Sequence, residues 1–175
     1  AVLTRIALPL ANPLYHAARS IGVLNREGRN WVGSSEQLGE PVPQGAPQAN
    51  QTVAFETEVA YVRLGDVHIA GIPGEIYPEL VYGQYQEPVD PGADFPQAPL
   101  EPPVMQTLPG KMTLLFGLAN DEVGYIIPKR QWDDAAPYCY GRSSRQYGEV
   151  NSCGPEVAPV LMQALVQRVR EASAG

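Results

Sequence analysis

Two short stretches place side chains suited to ligand binding directly after apolar, strand-like runs. The run IPGE at residues 72–75 ends in Glu75, which follows a Pro-Gly break, and the run GLANDEVGY at residues 117–125 ends in Tyr125. Strand ends in α/β proteins commonly present side chains to ligands, so each stretch is a candidate site. Pro-Gly and Asn-Asp are also ordinary turn formers, so spacing alone leaves both interpretations open.

The chain has two histidines, His16 and His68, and neither lies in a recognisable catalytic motif. The sequence contains no HExxH, CxxC pair, P-loop, GxGxxG or GxSxG pattern. His16 is expected to be a surface or packing residue of a helix, and His68 a hydrogen-bonded buried residue of a strand. A stand-alone site built by His68, Glu75 and Asp121 is a further alternative, although nothing in the sequence brings these groups together.

Three segments carry a resemblance to a known family. The runs IPGE, GLANDEVGY and QYGEVNSCGPEVAPVL, the last at residues 146–161, have the order and spacing seen in the neutral/alkaline non-lysosomal ceramidases. From about residue 53 to residue 170 the chain resembles the later part of that family's catalytic domain. The family hydrolyses the amide bond of ceramide to release sphingosine and a fatty acid, so the resemblance implies a zinc-dependent hydrolase of sphingolipid metabolism.

The resemblance also implies roles for particular residues. The family holds zinc with two histidines, a glutamate and a tyrosine. Glu75 matches the glutamate and Tyr125 the tyrosine, while Tyr147 matches a second tyrosine near the scissile amide. The family's two histidines and an important serine lie in an earlier segment whose motifs this chain does not contain. The N-terminal remainder of the same precursor, or a second chain, would have to supply them, and we expect the isolated chain to be inactive.

A zinc ion with these ligands would suit amide hydrolysis. Carboxylate, phenolate and imidazole ligands leave a coordination position for water, whose pKa then falls toward about 7. A dication also favours the ionised form of a tyrosine, whose ordinary pKa is about 10. The hydroxyl of Tyr147, aimed at the amide carbonyl, would stabilise the developing oxyanion.

The elements that must position these residues are a mixture of strands and helices. Residues 57–64 and 67–72 are predicted to form a hairpin around Gly65-Asp66, with a type II′ turn. Residues 111–118 are predicted to form a buried strand. Helices are expected over residues 13–24, 76–85 and from Pro155 onward. The fold class is therefore α/β, an α+β-like mixed sheet with flanking helices and long Pro/Gly-rich loops.

The loops are unusually extensive for a chain of 175 residues. Eighteen prolines and seventeen glycines make up one fifth of the sequence, and residues 27–50 and 86–110 are expected to be long loops. Together with the resemblance, this predicts that residues 1–175 form a single incomplete domain. It would be the C-terminal portion of a ceramidase-like catalytic domain, with its loops packed against a partner segment.

The net charge and the cysteine content limit which binding partners and which cellular compartment are expected. The net charge is −7 without a basic cluster, so nucleic acid is excluded as a partner, and no apolar run reaches the roughly 18–20 residues of a transmembrane segment. Cys139 and Cys153 are expected to form a disulfide, which would contribute roughly 3 kcal/mol. Two reduced, buried thiols are the alternative. A disulfide indicates a secreted or periplasmic protein.

A second hypothesis is that the protein has the same fold but no catalytic activity. Because the histidines are missing and charged residues make up only 18% of the chain, the protein could be a non-catalytic extracellular structural or interaction subunit. Its contact surfaces would then be the proline-rich loop and the tyrosine-rich segment, since long loops often carry binding.

Overall fold

The computed structural model of the chain describes residues 1–45 and 51–174. Within these ranges strands and helices are mixed, which confirms the predicted α/β class, and no helix is both long and apolar enough to cross a membrane. The strands are β1 (Val2–Pro9), β2 (Gly28–Asn30), β3 (Pro41–Val42), β4 (Val53–Leu64), β5 (Val67–Gly71), β6 (Glu75–Ile76), β7 (Met112–Phe116) and β8 (Tyr125–Ile126). The helices are α1 (Pro13–Ser20), α2 (Pro78–Tyr82), α3 (Val104–Thr107), α4 (Tyr147–Val150) and α5 (Val157–Ala174), with 3₁₀ turns at Lys129–Gln131 and Cys139–Gly141.

The main sheet is organised around β4. β1 pairs antiparallel with residues 54–61 of β4, while β2 pairs with residues 53–55 and β5 with residues 60–64. Because β1 occupies one side of β4, β2 and β5 lie on its other side, at opposite ends. β3 extends the sheet from β2, and β7 extends it from β5 in parallel. β6 and β8 form a separate parallel pair.

Local turn and cap chemistry explains the best-predicted elements. Only Gly65 of the two loop residues between β4 and β5 has a positive φ, +61°, as a type II′ turn requires, so the hairpin is confirmed. α1 begins as predicted, because the Asn12 side chain accepts a hydrogen bond from the Leu14 amide at 2.8 Å. It ends at Ser20, earlier than predicted, where Gly22 turns the chain with a φ of +76°.

The hydrophobic core lies between α5 and one face of the main sheet. Side chains alternate between the two faces of a strand, and odd-numbered residues of β4 point to the face that α5 covers, which we term the inner face. α5 begins at Val157, two residues later than predicted, after a turn at Gly154. The core includes Ile6 and Leu8 of β1, Phe55, Val59 and Tyr61 of β4, and Leu161, Met162 and Leu165 of α5.

Two predicted segments have a different structure. The helix expected at residues 76–85 is reduced to α2, because Ile76 pairs within β6 and Gly83 ends the helix with a φ of +77°. The loop at residues 27–50 contains β2 and β3, and its residues 46–50 lie outside the described ranges.

The proline-rich loop at residues 86–110 packs on the chain itself. It contains α3, which contacts α2 and α5. The Tyr85 hydroxyl donates to the Glu101 carbonyl at 2.5 Å, and the Glu101 carboxylate accepts a hydrogen bond from the Lys129 amide at 3.0 Å. This loop therefore has packing partners within the chain, and its contact with a partner segment stays a prediction.

Strand β7 is formed as predicted but is not buried. It lies at the edge of the main sheet, and Met112, Leu114 and Phe116 are 56%, 41% and 55% exposed. The apolar run predicts burial on both faces, whereas α5 covers only one face of the sheet.

The two cysteines are free thiols rather than the predicted disulfide. Cys153 lies in the core and its thiol donates to the Val123 carbonyl at 3.2 Å, whereas Cys139 is buried beside Asp133 in a 3₁₀ turn. Burial raises the pKa of Cys153 to about 12 and that of Cys139 to about 11. Both thiols are therefore protonated and unreactive at neutral pH.

Candidate functional site

Backbone pairing brings the two predicted site stretches together. In the parallel pair β6–β8, Glu75 lies opposite Tyr125, and the Glu75 amide donates to the Gly124 carbonyl at 3.1 Å. The Tyr125 amide donates in turn to the Asn151 carbonyl at 2.8 Å, just after α4. Three segments that are remote in sequence thus converge, each carrying one of the residues implied by the resemblance.

The side chains of these three residues form one exposed cluster. The Glu75 carboxylate is close enough to the Tyr125 hydroxyl to raise the pKa of that phenol. The rings of Tyr125 and Tyr147 pack edge to face, with centroids 5.7 Å apart and planes inclined at 75°. Glu75 is exposed and Tyr147 is 73% exposed, so a ligand can reach all three from solvent.

Sequence reasoning did not select Tyr77, which also belongs to this cluster. Its ring centroid lies 6.2 Å from that of Tyr125. A Cβ added at Gly148 would lie only 2.4 Å from the Tyr77 hydroxyl oxygen, so the absence of a side chain there allows α4 to approach. One signal was available in the sequence: Tyr77 follows Glu75 by two residues in an extended run, which places both on the same side.

Several acidic groups in and beside the cluster have raised pKa values. Partial burial, together with the negative charge of Glu75, raises the pKa of Tyr125. Burial and the charge of Glu149 raise the pKa of Tyr77 to about 12. Glu122, whose carboxylate accepts a hydrogen bond from the Gly124 amide at 2.6 Å, also has a raised pKa because of partial burial and the nearby Glu75. Such a concentration of oxygen donors and negative charge suits a cation.

The cluster fits part of a zinc site. Glu75 and Tyr125 place a carboxylate and a phenol side by side, which would be two of the four ligands that the resemblance implies. Among the described residues, no group of three or more His, Cys, Asp or Glu side chains is arranged to hold a metal ion. If the resemblance holds, Glu75 and Tyr125 would be half of such a coordination sphere.

The histidines lie elsewhere and have structural partners. His16 Nε2 is 2.9 Å from the Leu10 carbonyl oxygen, and the buried His68 Nδ1 is 2.6 Å from the Tyr61 hydroxyl, as predicted for packing and core residues. Asp121 forms an ion pair with Arg26. The alternative site of His68, Glu75 and Asp121 is wrong, because these groups are held in separate places by their own partners.

An apolar cavity adjoins the cluster. Its volume is about 490 Å³, and its lining includes Glu122 and Gly124, which precede Tyr125 in the chain. Tyr15 also lines it, and burial, with nearby negative groups, raises the pKa of this phenol to about 12. Arg26 and Cys153 also line it, and the rest of the wall is aliphatic or aromatic, formed by Leu14, Ala18, Val23, Leu24, Phe55 and Val123.

Comparison with known proteins adds no relative to this picture. No family model, no curated protein and no solved structure matches the chain.

Proposed function

We propose that the chain is the C-terminal segment of a ceramidase-like zinc amidohydrolase, secreted or periplasmic, that hydrolyses the N-acyl amide bond of ceramide or a related lipid amide. The observation that carries this proposal is the convergence of Glu75, Tyr125 and Tyr147 in one exposed cluster. The sequence resemblance implies a role for each of these residues, and three remote segments of the chain bring them together.

The residues of this chain would have distinct roles. Glu75 and Tyr125 would hold zinc, which supplies an activated water and polarises the amide carbonyl. Tyr147, whose ring packs against Tyr125, would donate its hydroxyl proton in a hydrogen bond to the carbonyl oxygen as negative charge develops there. An N-terminal segment, in the same precursor or a second chain, would supply the two histidine ligands.

The neighbouring cavity supports a lipid substrate. A volume of about 490 Å³ with a largely apolar wall suits an aliphatic chain. Gly124, which precedes Tyr125 in the chain, lines this cavity, so a chain bound there would lie close to the proposed metal ligands. Burying that chain would supply binding energy of about 0.8 kcal/mol per methylene group.

Zinc titration of the chain by calorimetry tests the proposal. We expect weak binding to wild type, a loss of at least about tenfold in affinity for Glu75→Gln and for Tyr125→Phe, and no change for the matched control Glu58→Gln, which lies away from the cluster. Equal zinc affinity in all four proteins would contradict the assignment of ligands. Ceramide turnover by the isolated chain would contradict the need for another segment.

The second candidate function is a non-catalytic extracellular interaction subunit that retains this fold. One observation favours it: strand β7 exposes a row of apolar side chains, which is typical of a surface that contacts another protein. The absence of any zinc affinity, with a regular assembly in solution, would favour this alternative.

A further inference from the structure

The main sheet has a bare apolar surface on the side opposite α5, which we term the outer face. Partners in the strand register share a face, so Leu114 of β7 lies beside Ile69 of β5, and Ile69 lies beside Val62 of β4. The same alternation adds further residues on each strand. The apolar part of the outer face comprises Leu3, Val62, Leu64, Val67, Ile69, Met112, Leu114 and Phe116.

A bare apolar surface is unusual over a pair of parallel strands. Parallel strands such as β5 and β7 are normally covered on both faces. Here Leu64, Met112 and Phe116 are 63%, 56% and 55% exposed. Exposed edge strands are usually protected by charged residues or proline, and β7 has neither between Met112 and Phe116. The surface therefore has the properties of an interface.

The remainder of the outer face is polar but electrically balanced. Arg5 forms ion pairs with Glu56 at 3.2 Å and Glu58 at 3.6 Å, and Arg29 pairs with Glu56 at 3.0 Å. Two positive and two negative side chains cancel, although the whole chain carries a net charge of −7. These strand residues therefore add no net charge that would repel a second copy.

The exposed area is sufficient for self-association. Leu3, Leu64, Met112, Leu114 and Phe116 are between 41% and 63% exposed. We estimate the bare apolar area at about 600 Å² per copy, so two faces packed together would bury about 1,200 Å², the lower end of the range for stable interfaces. The charged margin would add polar contacts around the apolar centre, as in known interfaces.

We propose that two copies of this chain pack outer face to outer face across a two-fold axis. The arrangement would be a sheet-on-sheet contact, with Ile69, which lies between Val62 and Leu114 in the strand register, near its centre and the pairs of Arg5 and Arg29 at its margin. The outer face of the β5–β7 pair would then also be covered, as is usual for parallel strands. The proposal concerns a surface separate from the Glu75–Tyr125 cluster and does not depend on the catalytic assignment.

Sedimentation equilibrium over about a hundredfold range of protein concentration tests this dimer. Wild type should reach twice its chain mass of 18.9 kDa. Leu114→Lys and Met112→Lys, both at exposed positions, should raise the dimer dissociation constant at least about tenfold. The control Ile21→Lys changes an apolar residue that is 77% exposed outside this face, and it should leave the dissociation constant unchanged.

Circular dichroism establishes that each variant remains folded. A wild-type chain that stays monomeric throughout would overturn the proposal and leave the face free for a different segment. Aggregates of mixed size would overturn it too, because a two-fold contact closes at two copies. A dimer that survives both lysine substitutions would place the interface elsewhere.

Discussion

The inner and outer faces of the main sheet have similar apolar residues but very different surroundings. On the inner face, Phe55, Val59 and Tyr61 are at most 1% exposed beneath α5. On the outer face, Leu64 and Leu114 are 63% and 41% exposed. Apolar composition therefore does not distinguish the two faces. The difference is that the eighteen-residue helix α5 lies over one of them, so burial here depends on what covers a strand.

The largest effect on stability is expected when a leucine on the inner face is compared with a leucine on the outer face. Leu161 of α5 is fully buried against the inner face, so Leu161→Ala should reduce the free energy of unfolding by about 2–5 kcal/mol. Leu114→Ala should cost less than about 0.5 kcal/mol at protein concentrations too low for association. Urea denaturation measures both. Equal losses in dilute solution would show that the outer face is already covered within one chain.

The buried carboxyl group of Glu149 provides a second comparison, which is based on how the stability of the protein depends on pH. Glu149 is 3% exposed, and its Oε2 has no hydrogen-bond partner. Burial, with the charge of Asp133, raises its pKa to about 7. The folded state therefore binds this proton more tightly than the unfolded state, and the stability of wild type should fall as pH rises from about 4.5 to about 7.

Glu149→Gln removes this dependence by keeping the side chain neutral. Its stability relative to wild type should be about 2–3 kcal/mol more favourable at pH 8 than at pH 4.5. Thermal unfolding across this pH range provides the measurement, with Glu58→Gln on the outer face as the control. A stability difference that does not vary with pH would mean that Glu149 is not the group responsible.

The smallest effect on stability is expected from polar contacts, which we compare between the inner and outer faces of the main sheet. Although burial opposes ionisation of Asp121, hydrogen bonds from Arg26 and Thr57 lower its pKa. This carboxylate anchors the loop after β7 to the inner side of β4, where the Thr57 hydroxyl donates to it at 2.6 Å. Its stabilisation is present above the unfolded-state pKa near 3.9 and is lost as pH falls through the lower folded-state value.

Asp121→Asn should therefore cost about 1–2 kcal/mol at pH 7. The cost should shrink at pH 3, below the unfolded-state pKa near 3.9, because the unfolded chain then binds a proton that the folded state, with its lower pKa, binds less tightly. Glu58→Gln, which breaks only the 3.6 Å pair with the 68% exposed Arg5, should cost less than about 0.5 kcal/mol. Chemical denaturation at the two pH values provides the comparison, and similar costs for both variants at pH 7 would contradict it.

Local chemistry determined the parts of the fold that the sequence predicted well. The β4–β5 hairpin follows from Gly65 at its turn, and the start of α1 follows from Asn12 and Pro13. The site segments could be selected from their spacing and resemblance, because each is a short run of residues at the end of an element. In all these cases the deciding interactions join residues that are close in the chain.

Only the tertiary structure decided the remaining features. It placed Glu75 beside Tyr125 through the β6–β8 pairing, which also took Ile76 out of the predicted helix. It put Cys139 and Cys153 in separate buried positions as free thiols. It also left β7 uncovered on one face, although its sequence has the pattern of a buried strand. Each outcome depends on contacts between segments remote in sequence. The periodicity of a strand indicates which side chains are apolar, but it does not indicate which other segments pack against them.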